Sequence, residues 1–242
     1  MACYIFSDAH LGANDPAKEK VKAAKIDELF AMVRNDGDRL VILGDLFDFW
    51  FEYKHVIPKD HHRVLFKLTD LLERGIRIDY VSGNHDFWMG DFFEKELGIT
   101  VHRDAVDMEY DGKRIHFIHG DGLAKRDRGY RILKRILRNR VNIWLYRRLP
   151  PDWAIPLAKW VSGSSRKYTS VREEHTFAPD YAAYAEQKLK EGYDVVAIGH
   201  LHTPVFIKSE NGIYINTGDF IDHFSYARIG EGKVELEYLS RV

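Results

Sequence analysis

The chain has 242 residues, 45% hydrophobic and 30% charged, with 36 Lys and Arg against 37 Asp and Glu for a formal net charge of −1. This composition excludes a disordered chain, and apolar runs of only a few residues, soon broken by Asp or Lys, exclude a transmembrane helix. The length suits one large domain, or one domain with an insertion.

In chain order, the first predicted strand is Tyr4-Ile5-Phe6, reached from Met1 with neither the basic nor the apolar segment of a signal peptide. Cys3, the only cysteine, has no intramolecular disulfide partner, which points to the reducing cytosol; inside a strand it serves as a small core hydrophobe. Pro16–Arg34 carries apolar residues near helical spacing, with Pro16 in the first turn. Strands at Leu40–Leu43 and Ile78–Val81 bracket a second helix, Lys59–Arg74, which ends at Gly75. Alternation near Val101–Tyr110 predicts antiparallel or edge strands, and Ile115–Ile118 a buried one. From about Leu123 to Val171 the strand–helix alternation stops, and the chain turns helical, basic and aromatic. Asp180–Glu191 predicts a helix ending at Gly192, followed by buried strands at Val195–Ile198 and Ile213–Ile215 and an edge strand at Val234–Leu239. Strands alternating with helices imply an α/β layered fold, with one domain formed by 1–122 and 172–242 and a helical cap inserted at 123–171.

Five polar clusters follow five of these strands: Ser7-Asp8-Ala9-His10, Gly44-Asp45-Leu46-Phe47-Asp48, Gly83-Asn84-His85-Asp86, His119-Gly120-Asp121 and Gly199-His200-Leu201-His202. In an open α/β sheet, ligands bind beyond the carboxyl ends of strands, so these clusters converge in space. Taken singly, each is an ordinary turn, since Asp, Asn and Gly favour turns; five in one chain, each ending an apolar strand, point to a metal site. The donors are His, Asp and Asn with no Cys, a set suited to Mn, Fe(II), Zn or Co. Seven candidates (Asp8, His10, Asp45, Asn84, His119, His200 and His202) exceed the needs of one ion and suit two that share a carboxylate, ~3.5–4 Å apart.

These five blocks resemble those of the calcineurin-like metallophosphoesterase superfamily, over residues 7 to 202. The resemblance implies a four-layer α/β/β/α sandwich and metal-dependent hydrolysis by in-line attack of water on phosphorus. It implies that Asp8, His10 and His202 hold one ion, that Asn84, His119 and His200 hold the second, and that Asp45 bridges them, with Mn²⁺ expected and Fe, Zn or Co as alternatives. His85 would stand by the leaving-group oxygen as general acid or transition-state stabiliser, and Asp86 would orient it. His55, His61, His62, His102, His116, His175 and His223 have no motif around them and are expected at the surface or in the core. Asp48 and Asp121 read equally as supports of the ligands or as turn residues.

The near-zero net charge conceals a local excess. Lys125–Arg148 holds ten Lys and Arg against Asp127, or +9 in 24 residues, leaving −10 for the remainder. Ile132, Leu133, Ile136 and Leu137 fall on one helical face, and Arg131, Lys134, Arg135 and Arg138 on the other. Such a helix can lie on an anionic membrane, follow nucleic-acid phosphates, or dock by its apolar face and leave the basic face in water. Few aromatics interleave the early basic residues, which argues against base stacking. The later Val141, Ile143, Trp144, Leu145, Tyr146, Trp153, Ile155, Leu157 and Trp160 either close a small core or line an apolar cleft beside the metals.

Within the superfamily, the chain is most similar to the UDP-2,3-diacylglucosamine diphosphatase (hydrolase) family of lipid A biosynthesis. The similarity rests on Ser7–Gly12, Gly44–Trp50, Gly83–Phe87, His119–Leu123 with Asp127–Tyr130, and a basic insertion ending in Ser164-Ser165-Arg166-Lys167. It implies cleavage of the substrate pyrophosphate to UMP and 2,3-diacylglucosamine 1-phosphate, with the cap receiving two acyl chains. Asp127, Tyr130 and Ser165 would line the glucosamine and phosphate region, Lys167 and Arg172 would contact phosphate, and Asn84, His85 and His200 would also face the substrate. His85 stands where the best-known members have Arg. The protein is expected in the cytoplasm, peripheral on the anionic inner-membrane surface. Two alternatives remain open: a metallophosphodiesterase for another nucleotide or phosphodiester, and a non-enzymatic module binding membrane or protein.

Overall fold

The structure, a computed structural model, describes residues 1–124 and 128–240, with the backbone alone at Arg128 and over 160–175. The chain runs through β1 (Ala2–Phe6), α1 (Pro16–Asp36), β2 (Gly37–Ile42), a 3-10 turn (Lys59–His61), α2 (His62–Glu73), β3 (Arg77–Val81) and a π-helical turn (Phe93–Leu97). β4 (Thr100–His102), β5 (Val106–Tyr110), β6 (Lys113–Ile118), α3 (Arg128–Leu137), α4 (Arg140–Tyr146) and α5 (Pro151–Lys190) follow. β7 (Val195–Ile198), β8 (Val205–Ser209), β9 (Gly212–Asn216), β10 (Ser225–Gly230) and β11 (Lys233–Tyr238) complete it.

The strands form two sheets, six-stranded in the order β11-β10-β1-β2-β3-β4 and five-stranded in the order β5-β6-β7-β9-β8. Their two-residue period sorts β1 between two cores. Cys3 and Ile5 pack with Val41, Leu43 and Val81 against Phe117, Val195 and Ala197 of the second sheet. Tyr4 and Phe6 pack outward with Ile26, Leu29 and Phe30 of α1 and Leu68 and Leu71 of α2. A third core sets Tyr181, Ala185 and Leu189 of α5 on Val196, Ile198 and Tyr214. The layers are therefore helix, sheet, sheet, helix. Within each sheet the strands that lead to the polar clusters are parallel: β1, β2 and β3 in the first, β6 and β7 in the second.

Local chemistry sets the element ends. The Asp15 carboxylate accepts from the Ala17 and Lys18 N–H groups at the start of α1, and Pro16 occupies its first position. Gly75, at φ +84°, closes α2: its N–H reaches Leu72 O and that of Ile76 reaches Leu71 O.

Several expectations change. The helix expected at Asp180–Glu191 is only the end of α5, which runs from Pro151 through Pro156 and Pro179; those prolines read locally as breaks. The expected boundary at 171–172 thus lies inside one helix. β8 and β10 have no counterpart in the sequence reading. Of the three alternatives for α3, docking by its apolar face does not occur. Lys134 and Arg138 turn inward to the protein, while Ile132 and Ile136 are 60% and 52% exposed. α4 is anchored by Tyr146, whose ring meets Phe51 at 4.7 Å and Trp88 at 5.1 Å. Among the described residues, no helix is long and apolar enough to cross a membrane.

Candidate metal centre

The loops leaving β1 and β2 run side by side: the N–H groups of Asp8, His10 and Leu11 donate to the carbonyls of Gly44, Asp45 and Leu46 at 3.1, 2.9 and 2.9 Å. Asp8, His10, Asp45 and His200 adopt positive φ of 54°, 42°, 52° and 65°. Non-glycine residues enter this region at a cost, and four at one site mark a place where the surroundings overrule backbone preference. Gly83 allows the closest approach: a Cβ there would stand 2.1 Å from Asp45 Oδ1.

The donors cluster at the strand ends, where a third overlapping group joins His10 with Asp48 and His85. Oxygen and nitrogen atoms of Asp8, His10 and His202 lie within 4.8 Å of one another, as do those of Asp45, His119 and His200. Asn84 Oδ1 is 3.1 Å from His119 Nε2. Asp45 Oδ2 faces both groups, 3.8 Å from His10 Nε2 and 3.4 Å from His119 Nε2. His119 Nδ1 lies 2.7 Å from the Leu43 carbonyl, which leaves Nε2 facing the centre.

These residues fit a pair of divalent cations. Asp8 Oδ1 and both ring nitrogens of His10 are buried and lack a hydrogen-bond partner, an expense that a bound cation removes. Burial drives the imidazoles of His10 and His200 down to about 4, so both present lone pairs at neutral pH. Burial opposes charge on Asp45 too, yet His119 and His85 beside it hold its carboxyl well below the usual carboxylate range. At His119 burial opposes a positive charge, but Asp45 and Asp8 outweigh it and raise the imidazole to about 10. The carboxylates thus create a field that favours cations.

The His85 ring sits at the same mouth, its Nδ1 2.8 Å from the Asp48 carbonyl oxygen and its Nε2 4.0 Å from Asp45 Oδ2. Asp86, expected to orient His85, also braces the turn itself. Asp86 accepts from Tyr80 Oη at 2.5 Å and from the Gly83 N–H at 2.7 Å, so it pins the turn that carries Asn84 and His85, while the Asp48 carbonyl meets the ring. Tyr130 reaches the site, its ring 6.3 Å from that of His200. Asp127 lies outside the described residues, as do the side chains of Ser165, Lys167 and Arg172. Of the motif-free histidines, His61 and His116 are buried, and His116 bonds Asp107 and Tyr184.

Asp121, which read equally as a support or a turn residue, acts as a support, and Asn216 and Thr217 escaped sequence reasoning. Asp121 Oδ2 receives the Tyr130 hydroxyl at 3.0 Å and Lys134 Nζ at 2.7 Å, tying the cap to the strand-end His119 loop. Asn216, ending β9, donates from Nδ2 to Gly199 O, and Thr217 Oγ1 lies 2.7 Å from Ser7 Oγ. The signal was there: Asn216-Thr217-Gly218-Asp219 is a sixth polar cluster after an apolar strand.

The family model described as calcineurin-like phosphoesterase matches residues 1–204, a span containing every donor above. The chain belongs to this family. Among its calcineurin-like relatives, a UDP-2,3-diacylglucosamine hydrolase of Porphyromonas gingivalis is 32% identical over 93% of this chain and 92% of its own. Proteins of the same name from Aeromonas salmonicida and Pseudomonas putida are 29% and 31% identical, covering 98% and 84% of this chain and 93% and 83% of theirs.

Proposed function

We propose that this phosphoesterase hydrolyses the pyrophosphate bond of UDP-2,3-diacylglucosamine to UMP and 2,3-diacylglucosamine 1-phosphate. The observation that carries the reading is a cluster of candidate metal-binding groups in a chain 32% identical to such a hydrolase over nearly its whole length. Asp8, His10 and His202 would hold one ion and Asn84, His119 and His200 the other, with Asp45 between them; Mn²⁺ suits this nitrogen and oxygen set. When bound, the ions supply Lewis acidity toward water and the phosphoryl oxygens.

The chain's own groups do the rest. His85, held by the Asp48 carbonyl, is placed to donate a proton to the leaving oxygen. Asn84 and His200 border the second ion's position, and Tyr130 walls the same side. The cap supports a lipid substrate: Trp144, Leu145 and Trp153 are 53%, 54% and 76% exposed among arginines, a surface suited to an anionic membrane. That surface would suit work on the cytoplasmic face of the inner membrane.

The test is release of UMP by the Mn-loaded protein incubated with UDP-2,3-diacylglucosamine in detergent micelles. No UMP at micromolar enzyme overturns the substrate assignment, and faster turnover of an aryl phosphodiester or of DNA replaces it with a phosphodiesterase. Less than one ion per chain in the purified holoprotein, with vesicle binding intact, would leave a binding module.

A further inference from the structure

Beside the second donor group, two basic side chains converge on a single carboxylate of the loop that carries His119. Asp121 is two positions from His119, and its Oδ2 receives both Lys134 Nζ at 2.7 Å and Arg138 Nη2 at 3.3 Å. Two cations thus share one carboxylate. Arg138 also has Asp104 at 4.0 Å, but that carboxylate is 91% exposed and water screens it. The guanidinium is positioned as well. Nη2 lies 3.4 Å from the carbonyl of Gly83, the residue before Asn84, and Cζ stands 5.1 Å over the Phe87 ring. Nε is buried with no hydrogen-bond partner.

Holding α3 in place does not by itself account for this residue. The same helix end has an independent anchor, Trp88 Nε1 donating to Leu137 O at 3.0 Å. Tyr130 and Lys134 already tie the helix to Asp121. A buried guanidinium N–H without an acceptor is costly, and the planar fork of Arg matches two phosphate oxygens.

We propose that Arg138 binds a phosphate group of the substrate, reaching from the cap to the anion held beside Asn84 and His200. The inference rests on the proposed function for the identity of that substrate, and on the charge balance for the phosphate itself. Its test is calorimetric binding of inorganic phosphate to the Mn-loaded protein, alongside sugar-nucleotide kinetics. Arg138→Gln should weaken phosphate binding and raise KM by about 10- to 100-fold, Arg138→Lys should recover part of both, and Trp88→Phe should change neither by more than about twofold. Circular dichroism and thermal melts establish that each variant is folded. Phosphate affinity unchanged in Arg138→Gln, or an equal loss in Trp88→Phe, overturns the proposal. If wild type binds phosphate but releases no UMP from the sugar nucleotide, the substrate assignment fails while the phosphate comparison still decides the role of Arg138.

Discussion

Asp45 carries the heaviest demand of any single residue, because one carboxylate oxygen faces both donor groups and its φ of 52° is held by contacts from β1 and the Gly83 turn. Asp45→Ala should lower turnover by roughly 10²–10³-fold or more and reduce bound metal below two ions per chain, measured by elemental analysis. His85→Ala should lower turnover while leaving metal content near wild type; a parallel loss of both would make His85 a structural residue. His61 permits a pH prediction away from the centre. Burial, with Lys159 nearby, drives its imidazole down to about 4, whereas an unfolded His titrates near ~6.5. As pH falls below that value the unfolded chain takes up the proton first, so stability is full above it and drains away toward pH 4, by about 2 kcal/mol at pH ~5. His61→Phe, packed beside Phe47 and Trp50, should shrink the difference in unfolding free energy between neutral and mildly acid buffer by that amount.

At the scale of elements, the turn after β3 shows how a strand end becomes a rigid ligand carrier. Tyr80 lies within β3, and its hydroxyl holds Asp86, which in turn holds the Gly83 N–H. Tyr80→Phe strands a buried carboxylate and should cost about 1–3 kcal/mol in chemical denaturation, with activity falling as Asn84 and His85 loosen. The strands and the five clusters were legible from sequence because apolar runs buried on both faces are unbroken and end abruptly in Gly, Asp, Asn and His. The docking of α3 was not. The side that meets the domain carries Lys134, Leu137 and Arg138 and so cuts across the two faces read from sequence; it depends on Asp121, a residue that read equally as a turn. A buried carboxylate draws Lys134 and Arg138 inward, and Ile132 and Ile136 are left outside.

Across the whole molecule, two sheets bring strand ends from residues 6 to 198 to one edge, and the cap stands above that edge with its apolar side outward. Removing metal with a chelator should abolish hydrolysis and lower the melting temperature, because ions that bind only the folded state stabilise it by mass action; Mn²⁺ should restore both. Replacing Trp144 and Leu145 together by Glu should abolish co-sedimentation with vesicles containing anionic lipid, while turnover of a soluble phosphodiester stays within about twofold.

The sequence by itself determined the layered α/β class, the seven candidate donors and the polarised charge, because each is written in local runs: apolar strands, the clusters that end them, and a basic stretch with one acid. Only the tertiary structure decided which atoms meet. The pairing of Asp45 with both groups, the contact of His85 with the Asp48 carbonyl, and the inward turn of Arg138 all depend on residues far apart in the chain. Their relative positions are set by how two sheets and a cap pack, and no local pattern encodes that geometry.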